Sequence, residues 1–318
     1  MHAAVLHKLG SAPRFEQFDE PVAHDGEVLV KVLAASLKQI DKAMAGGAHY
    51  ASFRELPVVC GVDGVGRLET GERVFFGGPR RPFGTMGERT VAPRAFCFPL
   101  PDGLDDATAA ALPNPAGSSW LPLKWRAQLK PGEIVLVLGA TGTAGKLAVQ
   151  IAKLLGAGRV IAAGRNPQQL EVAKSLGADV TIQIDEPGKN LVEAFAAAAK
   201  DGIDIVLDYL WGAPTEALVA ALTGHDLAAE PHTTRLIEIG SMAGPAISLP
   251  GAALRSSGLE IYGAGGGSVP KQAIAEALPQ IFEHAAKGTL ELETKRVPLA
   301  DVEAEWTRKE DRRVVFIP

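Results

Sequence analysis

Residues 133–156 read EIVLVLGATGTAGKLAVQIAKLLG, and no other stretch restricts the fold as much. The run EIVLVLGA (133–140) is short, β-branched and without a polar face, the signature of a strand buried on both sides. Glycines follow at 139, 142 and 145. The segment TAGKLAVQIAKLLG (143–156) then carries apolar residues at 144, 147, 148, 151, 154 and 155, a helical spacing, with Gly156 as a natural stop. A buried strand that turns through spaced glycines into an amphipathic helix belongs to a parallel sheet covered by helices.

The alternation continues as that reading requires. RVIAAG (159–164), DVTIQI (179–184), IDIVLDYL (203–210) and RLIEIG (235–240) read as strands. Helices are expected over 167–177, 190–200 and 214–222 between them, and LEIYGAGGGS (259–268) adds a last strand and a Gly-rich turn before a helix at 270–287. Such alternation implies a doubly wound parallel sheet with right-handed crossovers. Residues 1–110 differ. EVLVKVLAAS (27–36), PVVCGVDGVGRL (57–68), ERVFF (72–76) and RTVAP (89–93) are short apolar runs broken by Gly and Pro, and DDATAAAL (105–112) is an Asp-capped helix. With 318 residues, two domains are expected.

Charge and cysteine content narrow the function. The net charge of −5 offers no polyanion surface, so no nucleic-acid partner is expected, and the pair Arg312-Arg313 is too short to change that. The two cysteines, Cys60 and Cys97, cannot form a disulfide framework or a four-cysteine zinc lobe. MHAAVLHKLG lacks the apolar core of a signal peptide, and no apolar run has the length of a membrane span. These features point to a soluble protein of a reducing, cytoplasmic compartment.

In its strand–loop–helix setting the glycine loop reads as a dinucleotide site of the pattern A-x-G-x-x-G, with Ala140 at the first glycine position. Gly142 lets backbone approach a pyrophosphate, and Gly145 lets the helix sit close to the strand. Thr141 and Thr143 add hydroxyl donors. The helix N-terminus, with Thr143 and Ala144, offers free N–H groups and the positive end of a dipole. About 20 residues on, where a carboxylate would grip a ribose 2′-hydroxyl, stand Gly164, Arg165 and Asn166. Nothing there repels a phosphate, and Arg165 supplies a guanidinium fork for one. NADPH is therefore expected over NADH.

Several segments, taken in order, resemble the medium-chain dehydrogenase/reductase superfamily, in its zinc-independent quinone oxidoreductase-like (zeta-crystallin-like) branch. They are PVVCGVDGVGRLETGERVFF, GTMGERTVAP, LKPGEIVLVLGATGTAGKLAVQIAKLLGAGRVIAAGRNPQQLEVAKSLGAD, IDIVLDYLWG, LIEIGSMAG and RRVVFIP. The resemblance implies a Rossmann domain at 116–262 inserted in a GroES-like β-rich catalytic domain, whose parts are 1–115 and 263–318. It implies a homodimer whose sheets join through the strand near 259–264. Zinc-dependent relatives place a Cys about where Lys38 sits and a His-Glu pair about where Val62-Asp63 sits. An ammonium and a valine do not ligate zinc, so no metal is expected.

The implied activity is hydride transfer from NADPH to a quinone or an activated α,β-unsaturated carbonyl. The alternatives are a specific enoyl or acryloyl reductase, and an NADPH-binding protein with a sensing or structural role. In the family, the stretch beginning SLKQIDKAMAGGAHYASF (36–53) often opens Asn-Pro-x-Asp and borders substrate and nicotinamide. Here Lys38 replaces the Asn, Gln39 the Pro, and Asp41 keeps the acid. Lys38 is the candidate charge for a developing oxyanion, unless it pairs with Asp41 or faces water. Asp41 is either an acid or a cap. Tyr50 is a candidate donor to the substrate oxygen. The resemblance also assigns cofactor contacts to Ser119, Gly240, Ser241, Gly263 and Ala264, and lets Arg313 reach the phosphates. The family's adenosine-phosphate Tyr falls near Ile184, leaving Arg165 to act with Lys174.

Overall fold

The structure is a computed structural model that describes residues 1–47, 51–185, 189–223, 232–265 and 267–318. The chain forms two compact units, one of Met1–Pro113 with Leu278–Pro318 and one of Asn114–Ala277.

The first unit holds β1 (His2–Leu6), β2 (Arg14–Gln17), β3 (Glu27–Ser36), helix α1 (Gln39–Gly46), β4 (Val58–Val59), β5 (Asp63–Leu68), β6 (Arg73–Gly77), β7 (Arg89–Pro93), β8 (Cys97–Pro99) and α2 (Asp106–Ala111). β2, β1 and β4 make a small antiparallel sheet. β3 is the hub of a larger one, pairing antiparallel with β5 and β7. Along β3, Val30 and Val32 bury against Phe76 and Val74, while Lys31 between them faces solvent, the two-residue period of a half-covered sheet. The Asp105 carboxylate caps α2 by accepting from Thr108 N at 3.0 Å.

The second unit runs through α3 (Pro113–Leu121), β9 (Ile134–Leu138), α4 (Thr143–Leu154), β10 (Arg159–Gly164), α5 (Pro167–Ser175), β11 (Val180–Gln183), α6 (Lys189–Ala198), β12 (Ile205–Asp208), α7 (Gly212–Leu222), β13 (Thr233–Glu238), α8 (Gly251–Arg255) and β14 (Gly258–Gly263). The six strands pair in parallel in the order β11-β10-β9-β12-β13-β14. This is the Rossmann arrangement, with the topological switch between β9 and β12. Leu136, Leu138, Ile161, Val206 and Leu236 are buried in its core with Phe195 of α6.

Helix α9 (Lys271–Ala286) leads back to the first unit, which α10 (Val302–Trp306) and the strands β15 (Thr294–Pro298) and β16 (Arg313–Ile317) complete. β16 pairs antiparallel with the end of β3 at Val315–Ser36 and Phe316–Ala35. β14 is hydrogen-bonded along its length to β13, and the second unit runs on to Ala277, within α9. Among the described residues no helix is long and apolar enough to cross a membrane.

Candidate functional site

The carboxyl ends of β9 and β10 meet in a turn made of backbone. Gly139 N and Ala140 N both donate to Ala163 O at 2.9 Å, locking the loop to the neighbouring strand. Gly142 precedes the first turn of α4 in an extended conformation, φ −85° and ψ 167°, with no side-chain cap. The first N–H groups of the helix are therefore open to an external acceptor. A Cβ on Gly145 would overlap the Gly139 carbonyl oxygen and come within 2.5 Å of Ala140 Cα. The helix can approach the strand only because residue 145 has no side chain. A Cβ on Gly142 would meet nothing nearer than Gly139 O at 3.7 Å, so that position is open. The two glycines separate cleanly: one is fixed by packing, while the other leaves space at the mouth of the helix.

Gly164 lies opposite. A Cβ there would overlap Thr141 Cγ2 and lie 2.9 Å from Thr141 Oγ1. Thr141, Gly142, Thr143, Ala144 and Gly145 are thus brought against the end of β10. Arg165 follows, exposed and, among the described residues, without a hydrogen bond or ion pair. The expected neighbour Asn166 is engaged elsewhere, since its Oδ1 accepts from Gln168 N at 2.9 Å and Gln169 N at 3.2 Å, capping α5. Lys174 is engaged with Glu171 at 2.6 Å on the exposed face of α5. A lysine that the sequence did not single out, Lys146, reaches Gln169 Oε1 at 3.1 Å and ties α4 to α5. These features fit a dinucleotide with a 2′-phosphate: open N–H groups, a mouth free of side chains, no carboxylate after β10, and an uncommitted guanidinium.

The ends of the remaining strands line up alongside. Asp208 closes β12 as a fully buried carboxylate that accepts from Leu210 N, Trp211 N and Thr215 Oγ1 at 2.8, 2.9 and 2.6 Å. Burial pushes its carboxyl above the usual carboxylate range, against those three bonds. They hold the turn at Trp211, whose φ of +53° puts a large side chain in the left-handed region. Ile239 N and Gly240 N donate to Asp208 O, and Ala264 N to Glu238 O. Gly240, Gly263 and Ala264 therefore sit at the carboxyl edge of the sheet, and Ser241 is exposed beside them. Ser119 is buried on α3, its hydroxyl donating to Ala116 O at 3.1 Å. The Tyr209 hydroxyl lies 3.1 Å from Ser118 Oγ and links the end of β12 to α3.

Lys38, Asp41 and Arg313 form a second group, wholly within the first unit. Lys38 immediately precedes α1 and is 1% exposed. Its ammonium donates to Ser36 O at 3.1 Å and lies 2.9 Å from Asp63 Oδ1 and 3.8 Å from Asp41 Oδ2. It neither faces water nor pairs chiefly with Asp41. Asp41 accepts from Lys38 N at 2.9 Å and so anchors the start of α1. Burial pushes the Asp41 carboxyl up, the Lys38 charge pulls it down, and Asp63 pushes it up again. Arg313 donates to Leu37 O at 3.0 Å, and burial lowers its guanidinium against the pull of Asp41 and Asp63. It belongs to this charge cluster, a different setting from the phosphate contact expected of it. Tyr50 lies outside the described residues. Asp63 carries no local signal in the sequence, since the Lys38 it meets stands 25 positions away.

These residues do not fit a zinc ion. Lys38 is a cation already paired with Asp63, Val62 offers no donor, and burial pushes the Cys60 thiol far up, away from the thiolate a metal needs. Among the described residues no group of three or more His, Cys, Asp or Glu side chains could hold a metal.

The family described as zinc-binding dehydrogenase matches residues 144–283, a stretch that contains neither Lys38 nor Asp63. The chain is 30% identical to the quinone oxidoreductase of Thermus thermophilus, solved also in complex with NADPH, with a TM-score of 0.83 and all of both chains covered. It is 26% identical, over the whole of both chains, to the "Probable NADPH-dependent quinone reductase tdiC" of Emericella nidulans. It is 30% identical to the chloroplastic NADPH-dependent alkenal/one oxidoreductase of Arabidopsis thaliana, over 59% of this chain and 51% of that one. The Rossmann strand order, the glycine cradle and this full-length likeness lead to one conclusion: the chain belongs to the quinone oxidoreductase-like branch of the medium-chain dehydrogenase/reductase superfamily.

Proposed function

We propose that the protein is an NADPH-dependent reductase of quinones or activated α,β-unsaturated carbonyls, working without a metal. The observation that carries the reading is the open mouth of α4 beside an uncommitted Arg165, in a chain similar along its whole length to quinone oxidoreductases. When bound, NADPH supplies the hydride.

The residues of this chain have the remaining work. The N–H groups at Thr143 and Ala144 and the bare Gly142 receive the pyrophosphate, with Thr141 and Thr143 as hydroxyl donors. Arg165 takes the 2′-phosphate by a charge-assisted fork. Asn166 contributes by fixing the start of α5. Ser119, Gly240, Ser241, Gly263 and Ala264 border the nicotinamide end. The acceptor oxygen gains negative charge as hydride arrives, and the Lys38 ammonium, buried beside Asp63, is the candidate positive charge for it. Asp41 anchors the helix start that carries Lys38. A homodimer belongs to the same reading. β14 ends the six-stranded sheet, paired on one side with β13, and its free edge suits a second copy. Two free cysteines suit a reducing cytoplasm.

The test is oxidation of NADPH and of NADH, followed by absorbance, against a panel of quinones and short enones. Turnover with NADPH and a graded acceptor preference is expected. Binding of NADPH with no turnover on any acceptor would replace the reductase reading with a sensing or structural one.

A further inference from the structure

Helices α4 and α5 of the second unit are joined by a lysine that local rules disfavour. Lys146 follows Gly145, and its N–H closes the opening turn of α4 by donating to Gly142 O at 2.9 Å. The positive end of the helix dipole opposes a cation in that turn. The Lys146 ammonium donates to Gln169 Oε1 at 3.1 Å. Gln169 lies in the first turn of α5, and its own N–H donates to the capping Asn166 Oδ1 at 3.2 Å. The ammonium therefore stands against the start of the helix that Arg165 and Asn166 lead into, after β10.

The other lysines of these two helices are neutralised. Lys153 of α4 pairs with Asp179, and Lys174 of α5 with Glu171, each at 2.6 Å. Lys146 has no carboxylate partner among the described residues. A carboxamide fixes the position of an ammonium and leaves its charge uncancelled. An ammonium also has more N–H donors than the one Gln169 engages. Two cations without a protein anion, half-buried Lys146 and exposed Arg165, thus border the start of α5. A phosphate monoester carries about −1.5 to −2 charge at pH 7, more than one guanidinium balances.

We propose that Lys146 is the second cation of the adenosine 2′-phosphate subsite and, with Arg165, a determinant of the preference for NADPH. Gln169 is its positioning residue. The inference rests on the NADPH reading above. Arg165 supplies a fork from the end of β10, and Lys146 supplies a point charge from α4. NADH has a hydroxyl in place of that phosphate, so the gain falls on NADPH alone.

The experiment titrates the full chain with NADPH and NADH by nicotinamide fluorescence, and with adenosine 2′,5′-bisphosphate and 5′-AMP by calorimetry, at low and high salt. The variants are Lys146→Gln, Lys146→Arg and Gln169→Glu. Lys146→Gln removes the charge and keeps an N–H donor for Gln169. We expect it to raise the Kd of NADPH and of the bisphosphate about tenfold, with NADH and 5′-AMP as in wild type. It should also flatten the salt dependence of NADPH binding. Gln169→Glu cancels the ammonium where it stands and should weaken NADPH likewise, whereas Lys146→Arg keeps the charge and should recover most of the affinity. An unchanged NADPH Kd in Lys146→Gln overturns the proposal. So does an equal loss of NADPH and NADH with a lower Tm, because that pattern marks Lys146 as a tie between α4 and α5 only. If wild type itself binds NADH as tightly as NADPH, the cofactor reading fails first and takes this inference with it. A wild-type preference that survives Lys146→Gln sinks this inference alone.

Discussion

The loop at 139–145 and the cluster around Lys38 are built on opposite principles. The loop is backbone: carbonyls, N–H groups and missing Cβ atoms from adjacent positions. The cluster is side-chain charge: Lys38 before α1, Asp41 inside it, Asp63 at the start of β5 and Arg313 at the start of β16. The loop tolerates no added atom where it packs, yet it contains no charge to be unbalanced. The cluster leaves several of its buried polar atoms without a hydrogen bond, yet loses heavily if one charge is removed. A site made of backbone is therefore fragile to volume, and a site made of buried charge is fragile to neutralisation.

That contrast can be broken most severely at Gly145. Gly145→Ala places a Cβ into strand backbone, which cannot give way as a flexible side chain would. We expect a loss of about 3 kcal/mol or more, at the upper end of overpacking costs, with NADPH binding abolished. Gly142→Ala should keep the melting temperature, because its φ of −85° suits alanine and its surroundings are open, yet weaken NADPH. Chemical denaturation and cofactor titration of both variants check this, and equal stability of the two would refute the packing argument.

Lys38→Met comes next. It strands two carboxylates beside one guanidinium in the interior, and removing one partner of a buried pair costs about 3–5 kcal/mol. Adding Asp63→Asn should restore part of the loss, a coupling that a double-mutant cycle measures. If Lys38→Met is as stable as wild type, the ammonium is not held as described.

Arg165→Ala tests the loop from the charge side. Losing a charge-assisted phosphate contact is expected to weaken NADPH by about 1.5–3 kcal/mol while leaving NADH as it is. An equal effect on both cofactors would remove Arg165 from the 2′-phosphate.

The smallest effect concerns Tyr209, behind the loop. Burial pushes its phenol up to about 12, opposed by Ser118 and Ser119. The raised value means the folded state holds this proton more tightly than the unfolded chain. The corresponding stability is complete below pH 10 and is lost as pH rises towards 12. An absorbance titration should show a tyrosine that ionises late and whose signal is lost in Tyr209→Phe. Ionisation of every tyrosine near pH 10 would contradict its burial.

The same contrast explains what could be read from sequence. β9, α4, β10 and α5 follow from local periodicity, and Gly142, Gly145 and Gly164 from spacing along one short segment. Helix α1 was hidden, because it is only eight residues long, QIDKAMAG, and its start is fixed by Asp41 turning back to Lys38 N. Asn166 carries a cap as well as a place beside the cofactor loop, and a side chain with two plausible partners is not assigned by spacing alone. Asp63 and Arg313 meet Lys38 only because β5 and β16 both flank β3. No rule of sequence spacing joins positions 38, 63 and 313; the sheet does.

The central claim is that the backbone cradle and Arg165 select NADPH. The direct measurement is titration of the unmodified protein with NADPH and with NADH, followed by nicotinamide fluorescence under one buffer and salt condition. The account predicts that NADPH binds at least about tenfold more tightly, the worth of one charge-assisted phosphate contact. Equal affinities, or tighter NADH, would contradict it.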